Sequence, residues 1–148
     1  MGRGAGRVVG CVRVLAAVPL GLLALGCGGG EAPATGARVV AVTLTGGAIA
    51  VSPATVAAGA LEFQVANADG APHDLVVLRT YFPAAELPTD EAGEVDESEL
   101  EVVDEIEWVA AGAAGTLRLR LEPGHYALIC NLPGSYGNRM YADFEVTP

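Results

Sequence analysis

Three side chains of this sequence, one imidazole and two sulfur groups, are of the types that bind soft metal ions. His73 follows the turn at residues 70–72 and opens a predicted strand, Cys130 ends a later strand, and Met140 starts the next one after a tight loop. A set of one nitrogen and two sulfur donors favours copper, and Cu(I) in particular. Taken singly, each residue has a plainer explanation, because a lone His is usually hydrogen-bonded, a lone Met usually fills a core and a lone Cys usually packs as a small hydrophobe.

The first 26 residues have the composition of an export signal. Arg3, Arg7 and Arg13 precede an apolar stretch over residues 14–26. That stretch is shorter than the roughly 20 residues that a membrane-spanning helix needs, but it suits the apolar region of a signal peptide. We predict that residues 1–26 are a signal peptide.

Cys27 follows this stretch directly and precedes three glycines. Small residues that end in a Cys resemble the lipobox of bacterial lipoproteins, although the Leu usual three places before the Cys is Ala24 here. The resemblance implies that Cys27 is acylated after cleavage, so that the protein is extracytoplasmic and held at the cell membrane by its lipid alone. The alternative is an ordinary secretory signal with an incidental Cys, which makes the protein secreted or periplasmic.

Cys130 is left without a partner for an intrachain disulfide. Cys11 is removed with the signal peptide and Cys27 is the lipidation site, which accounts for the other two of the three Cys. Both interpretations of the N-terminus export the chain, and a free thiol in an oxidising compartment is a liability unless it is buried, paired between chains or bound to something. The isolation of Cys130 therefore indicates a specific role.

The negative charge of the chain is concentrated in one segment. The 148 residues carry 8 Lys+Arg, all of them Arg, and 18 Asp+Glu, for a net charge of −10. Eleven of the acids lie between Glu86 and Glu107, with no base among them. Such a balance argues against nucleic acid or an anionic membrane surface as an electrostatic partner.

Residues 37–148 are predicted to be one all-β domain that follows a flexible tether at residues 27–36. Leu61, Phe63 and Val65 alternate with more polar residues, and Leu117 to Leu121 do the same, as strands with one buried face do. Further strands are predicted at residues 38–44, 48–51, 74–78, 125–130 and 141–146. Seven or so short strands at this spacing favour an antiparallel sandwich or barrel.

The acidic segment at about residues 84–108 is interpreted as an insertion into this domain. Leu100, Val103 and Ile106 recur every three residues, which suits the inner side of one or two helical turns. Asp96 or Ser98 would then cap the helix. A solvated acidic loop is the alternative.

The run from Gly124 to Gly134 (GHYALICNLPG), continuing to Met140, resembles the C-terminal copper loop of the cupredoxins, the small blue copper proteins. Their pattern has a Gly-x-Tyr-x-x-x-Cys strand, a CNxPGH turn and a Met five residues after the His. Residues 58–59, 63–67 and 73–77 resemble the other half of the pattern. The resemblance covers residues 37–147 and implies a Greek-key β-sandwich, with His73, Cys130 and Met140 on copper-ligand positions.

One ligand of the family pattern is replaced, since its second His falls at Ser135. Type 1 copper is bound by two His and one Cys in a plane with a weak axial Met, so a hydroxyl or a water is a poor substitute for the missing imidazole. His125 does not fill the gap in a strand without a bulge, because its odd spacing from Cys130 puts the two side chains on opposite faces.

Three functions are compatible with these residues. The first is a copper protein with an altered type 1 site, acting in electron transfer or copper handling with an extracytoplasmic redox or copper-delivery partner, which is basic if it docks on the acidic segment. The second is a copper-free binding or structural module that uses the same segment. The third is an enzyme with Cys130 as nucleophile and His73 as base, for which the sequence offers no third member. We therefore predict a protein that is not an enzyme.

Overall fold

The computed structural model describes residues 36–148, which form nine β-strands in two sheets. The signal peptide, Cys27 and residues 27–35 of the tether lie outside the described residues. The strands are β1 (Arg38–Thr45), β2 (Ala48–Ser52), β3 (Thr55–Ala57), β4 (Gly59–Asn67), β5 (His73–Arg79), β6 (Glu101–Val109), β7 (Ala114–Leu121), β8 (Gly124–Ile129) and β9 (Tyr141–Thr147). One sheet has the order β2-β1-β4-β7 and the other β3-β9-β8-β5-β6.

The two sheets enclose a central apolar core, which confirms the predicted β-sandwich. Leu61, Phe63 and Val65 of β4 all face this core, as their alternation predicts. Phe63 meets Phe144 of β9 from the opposite sheet, with the ring centroids 5.3 Å apart and the rings tilted by 62°. Edge-to-face pairs of this kind add about 0.5–1.5 kcal/mol beyond the area they bury.

Two strand pairs are parallel, which the sequence did not predict. β1 pairs with β4, and β3 pairs with β9, in the parallel direction. Parallel neighbours cannot be joined by a tight hairpin and need a crossover connection. Here the chain between β1 and β4 passes through β2 and then through β3, which belongs to the other sheet.

The last part of the acidic segment is a strand rather than a helix or a loop. β6 forms the edge of the five-stranded sheet, and its pairing with β5 shifts register at two places, each of which adds a residue on the β6 side. An added residue reverses the alternation of faces. Val103 and Ile106 therefore both pack towards the core although they are three residues apart, and this spacing imitates a helical period.

Residues 80–100 cover the outer face of the five-stranded sheet. Two short 3₁₀-helices, η1 (Ala84–Glu86) and η2 (Glu97–Glu99), lie in this stretch. The Asp96 carboxylate accepts the Ser98 N–H at 3.1 Å and so caps η2, not the helix predicted over residues 100–106. A second apolar cluster lies between these covering residues and the sheet. The cluster consists of Val76, Leu78, Ala127 and Ile129 from the sheet with Ala84, Leu87, Val95 and Tyr136 from the covering segments.

The described chain begins at one end of the sandwich, and the candidate ligands lie at the other. Arg38 at the start of β1 donates hydrogen bonds to the carbonyls of Ala57 and Ala58, beside the start of β4. At the opposite end, Asn67 at the end of β4 donates to the carbonyl of Val109, the register partner of His73. Within residues 36–148, no helix is long and apolar enough to cross a membrane.

Candidate metal centre

His73 and Cys130 come together because β5 and β8 are antiparallel neighbours. β5 begins at His73, and Cys130 directly follows the last residue of β8. Because the two strands are antiparallel, both residues lie at the same end of the sheet. The His73 Nδ1 atom is 3.7 Å from the Cys130 Sγ atom. Both residues are buried, with exposed fractions of 5% and 0%. The structure thus joins two of the three predicted ligands.

The His73 ring is held by Asp69. Its Nε2 atom lies 2.8 Å from the Asp69 Oδ2 atom. An ionised carboxylate only accepts hydrogen bonds, so Nε2 carries the proton and Nδ1 of a neutral ring presents its lone pair to Cys130. The hydrogen bond from His73, followed by one from the Gly70 N–H, lowers the pKa of Asp69. A carboxylate on the distal nitrogen is the usual support of a metal-binding His.

Asn67 fixes the turn between Asp69 and His73. Its side-chain oxygen accepts the Asp69 N–H at 2.9 Å, while its Nδ2 donates to the carbonyls of Ala71 at 2.7 Å and Val109 at 2.8 Å. Asn67 is buried, and these bonds satisfy both ends of its amide. They tie the turn that carries Asp69 to the end of β6.

The Cys130 sulfur receives a backbone hydrogen bond. The N–H of Asp74 donates to Sγ at a distance of 3.3 Å. A donor aimed at sulfur stabilises the thiolate, which is the form that binds metals. The Asp74 carboxylate in turn accepts the N–H of Trp108 at 2.8 Å. Trp108 has a φ of 55° and lies in the irregular stretch of β6 opposite His73.

Met140 lies in the same apolar core cluster as Cys130 and is fully buried. The Cys130 N–H donates to the Met140 carbonyl at 3.0 Å, which closes the loop between the two residues. Inside that loop the Met140 N–H donates to the Ser135 carbonyl at 3.1 Å. Ser135 is half-buried and takes part in the folding of the loop through its main chain.

Comparison with solved structures identifies the architecture. Auracyanin from the photosynthetic bacterium Roseiflexus castenholzii, in its Na-dithionite-reduced form, superimposes with a TM-score of 0.56 at 18% identity, over 76% of this chain and 98% of its own. Auracyanin B gives 0.57 at 22%, over 76% and 90%. Rusticyanin from Thiobacillus ferrooxidans gives 0.54 at 15%, over 74% and 78%. The fold is that of the cupredoxins.

The resemblance predicted from the sequence is thus confirmed for the fold. No protein-family model and no curated protein sequence matches the chain. Because the solved structures share so little sequence with this domain, they establish its architecture alone. The case for a metal therefore rests on the domain's own residues.

His125 lies on the face of β8 opposite to Cys130. Tyr126 and Leu128 face the central core together with Cys130, whereas Ala127 and Ile129 face the outer cluster. The His125 ring nitrogens lie 3.1 Å from the Thr80 carbonyl and 2.9 Å from the Asp143 carboxylate. This placement agrees with the strand parity used in the sequence analysis.

The donors of the domain fit a soft ion. The 3.7 Å between His73 Nδ1 and Cys130 Sγ is short enough for one ion to bond to both, since zinc, for example, bonds to nitrogen at about 2.05 Å and to sulfur at about 2.3 Å. Within residues 36–148, no three His, Cys, Asp or Glu side chains are grouped for metal binding. The predicted ligand set contains two residues of these types, His73 and Cys130, and its third member is the thioether of Met140.

Sequence reasoning missed the residues that support these donors. Asp69 was given no role from the sequence, and Asn67 appeared only within the segment 63–67 that resembles the family pattern. The available signal was a carboxylate four residues before a candidate ligand, across a turn that brings the two side chains together. Asp74 contacts Cys130 through its main-chain N–H, and a main-chain contact cannot be predicted from the type of a residue.

Proposed function

We propose that this protein is an exported, lipid-anchored cupredoxin that binds copper through His73, Cys130 and Met140, in an altered type 1 site, and acts in electron transfer or copper handling. The observation that carries the proposal is the 3.7 Å separation of His73 Nδ1 and Cys130 Sγ in a buried position. The His73 ring is oriented by the hydrogen bond between its Nε2 and Asp69, and the Cys130 sulfur accepts a hydrogen bond from the Asp74 N–H.

The chain's own residues prepare the site for metal. Asp69 holds the His73 tautomer, the Asp74 N–H supports a negative sulfur, and burial keeps water away from both donors. Copper, when bound, supplies one-electron chemistry between Cu(I) and Cu(II). Because one imidazole and two sulfur donors favour Cu(I), copper holding or delivery stands beside electron transfer.

A copper titration of the chain carrying Cys11→Ser and Cys27→Ser tests this proposal. This variant, the single-thiol chain, keeps Cys130 as the one thiol among the three Cys. An intense visible thiolate-to-Cu(II) band supports an electron-transfer site, and Cu(I) uptake without that band supports holding or delivery. We expect Cys130→Ala to abolish uptake and His125→Ala, on the opposite face, to retain it. Failure of both ions to bind, or equal uptake by Cys130→Ala, would overturn the copper site.

A second candidate function is a copper-free module that docks a basic partner on the acidic segment. It is favoured by the edge position of β6, whose exposed residues include Glu101, Asp104, Glu105 and Glu107. A basic redox or copper-delivery partner of a copper-binding protein would dock on the same acidic residues. Metal-independent binding of a basic partner, in a chain that takes up neither copper ion, would favour the module.

The geometry around Cys130 resembles that of a nucleophile with its base, but the sulfur is buried. The structure supplies the third member that the sequence lacked, because Cys130, His73 and Asp69 follow one another at hydrogen-bonding distances. A nucleophile must nevertheless be reached by its substrate. The sulfur belongs to a fully buried residue and already receives the Asp74 N–H, so we propose that the protein is not an enzyme.

The lipid anchor is proposed from Cys27 and the segment that precedes it. The described domain begins at the end opposite to the candidate site. Metabolic labelling with a radioactive fatty acid tests the anchor, and we expect label in the unsubstituted protein and none in Cys27→Ser. Equal labelling of both proteins would exclude Cys27 as the acylation site.

A further inference from the structure

The loop between Cys130 and Met140 is hydrogen-bonded to the acidic segment on the outer face of the sheet. Asn131, which directly follows Cys130, accepts the Val95 N–H at 2.8 Å and donates to the Val95 carbonyl at 3.0 Å. Its Nδ2 also donates to Glu97 Oε1 at 2.8 Å. One side chain of the loop thus makes three bonds to residues more than thirty positions earlier in the chain.

Tyr136 makes a second connection from the same loop. Its hydroxyl accepts the Leu87 N–H at 3.0 Å and donates to the Ala84 carbonyl at 2.9 Å. Burial raises the pKa of Tyr136, against the opposing effect of the Leu87 N–H, so the phenol stays protonated and able to donate. Its ring packs against Tyr141, with centroids 5.3 Å apart, at the start of β9.

These bonds replace strand pairing that the loop lacks. Residues 131–140 belong to no strand, and their own backbone bonds are short-range turns such as Ser135 N–H to the Leu132 carbonyl at 2.8 Å. Such a segment gains little rigidity from its own sequence and has to be fixed by tertiary contacts. Asn131 supplies them at the start of the loop and Tyr136 just past its middle.

We propose that residues 84–97 position the loop that carries Cys130 and Met140, through Asn131 and Tyr136, and that Glu97 transmits contacts made on the acidic surface to the residue beside Cys130. The Glu97 carboxylate is half-buried, with one oxygen on Asn131. A cation that pairs with Glu97 competes for this bond and loosens the residue adjacent to the sulfur. The consequence for copper rests on the proposed function, whereas the positioning of Cys130 does not.

The rate at which an aromatic disulfide reagent modifies Cys130 in the metal-free single-thiol chain tests the positioning. The thiol is buried, so its rate follows the population of opened loops. We expect Asn131→Ala and Tyr136→Phe to raise this rate by about tenfold each, because buried groups lose their partners. Glu97→Ala is expected to raise it by about threefold. Asn138→Ala in the same loop and Glu99→Ala in η2, both exposed, are matched controls with unchanged rates.

Dependence of the rate on urea separates local opening from global unfolding. A local opening exposes little surface and has a shallow urea dependence, whereas global unfolding has a steep one. The proposal is overturned if the Asn131 and Tyr136 variants react like the controls, or if their faster reaction has the steep dependence of global unfolding.

Release of Cu(I) to a chelator from the loaded chain is the second readout, and we expect it to accelerate in the same two variants. A chain that binds no copper refutes the proposed function, while the thiol rates still decide the positioning. Faster thiol modification with unchanged release from a loaded chain would refute the link to copper.

Discussion

A Cβ atom on Gly46 would lie 2.8 Å from Oδ2 of Asp69, the oxygen that receives the His73 hydrogen bond. Real Cβ atoms do not approach an oxygen this closely, so the carboxylate would have to turn away. Turning the Asp69 carboxylate costs free energy, because its two oxygens accept hydrogen bonds from His73 and from the Gly70 N–H. The absence of a side chain at position 46 therefore allows the His73 support to form.

Gly46→Ala is expected to weaken copper binding without unfolding the protein. The added methyl displaces Asp69 and releases the His73 ring, and loss of a supporting hydrogen bond of this kind costs about tenfold in metal affinity. Gly47→Ala is the matched control, since its Cβ would meet the Asn138 carbonyl at an ordinary 3.8 Å. Competition with a Cu(I) chelator measures both, and equal affinities in the two variants would contradict the role given to Gly46.

Asp69→Ala is expected to lower copper affinity by about 10–100-fold, because His73 loses the group that fixes its tautomer and orientation. His125→Ala provides the control, since it breaks the other His–carboxylate pair, which involves a ring on the opposite face of β8. The same chelator competition applies, with urea unfolding to correct for stability. Unchanged affinity in Asp69→Ala would leave His73 positioned by other contacts.

The buried carboxylate of Glu62 predicts a loss of stability in acid. Hydrogen bonds from Gln64 and then Arg118, at 3.0 and 2.9 Å, lower its pKa from the ordinary value of 4.5. A carboxylate whose pKa is lower in the folded state stabilises the protein fully above 4.5, and this contribution is lost as the pH falls through the lowered value.

Urea midpoints measured from pH 6 down to pH 3 test this effect in the unsubstituted protein and in Glu62→Gln. We expect the midpoint of the unsubstituted protein to fall more steeply below pH 4.5 than that of the variant. Asp69 contributes with the same sign in both proteins and so cancels in the comparison. Parallel curves would mean that Glu62 has the same pKa folded and unfolded.

Neutralising Glu105 and Glu107 of β6 is expected to leave copper uptake unchanged and to raise stability slightly. Partial burial, then the nearby acids beginning with Glu107, raises the pKa of Glu105. Its charged form is therefore disfavoured in the folded state, and stability falls as the pH rises through its titration range.

At pH 7 and low salt we expect the double Gln variant to gain a few tenths of a kcal/mol in the free energy of unfolding, on the order of an exposed ion pair, with less gain at high salt. A large loss of copper affinity would show that these acids contribute to the site.

The sequence predicted strands best where one face is buried and the other is solvated. β7 follows this rule, β4 departs from it at the buried Glu62, and the observed bounds of both strands enclose the predicted ones. β6 was missed because its added residues give Val103 and Ile106 a spacing of three, and β3 because it has only three residues.

The candidate ligands were recognisable because His and Cys are scarce and their surroundings resemble a known pattern. Their supports were less visible. Asn131 meets Val95, and Tyr136 meets Leu87, across separations of 36 and 49 residues. Such pairs depend on how distant segments fold over the sheet, which neither composition nor periodicity reports.

The location of the candidate site at the end opposite to the start of β1 sets a length scale for an anchored protein. β1 has 8 residues, which span about 27 Å at 3.4 Å per residue. The site then lies about one strand length from the end of the domain at which the tether joins β1, and a fully extended tether adds at most about 3.5 Å per residue. Tethering confines the site to a thin layer above the membrane, so partners bound within that layer meet it at a raised local concentration.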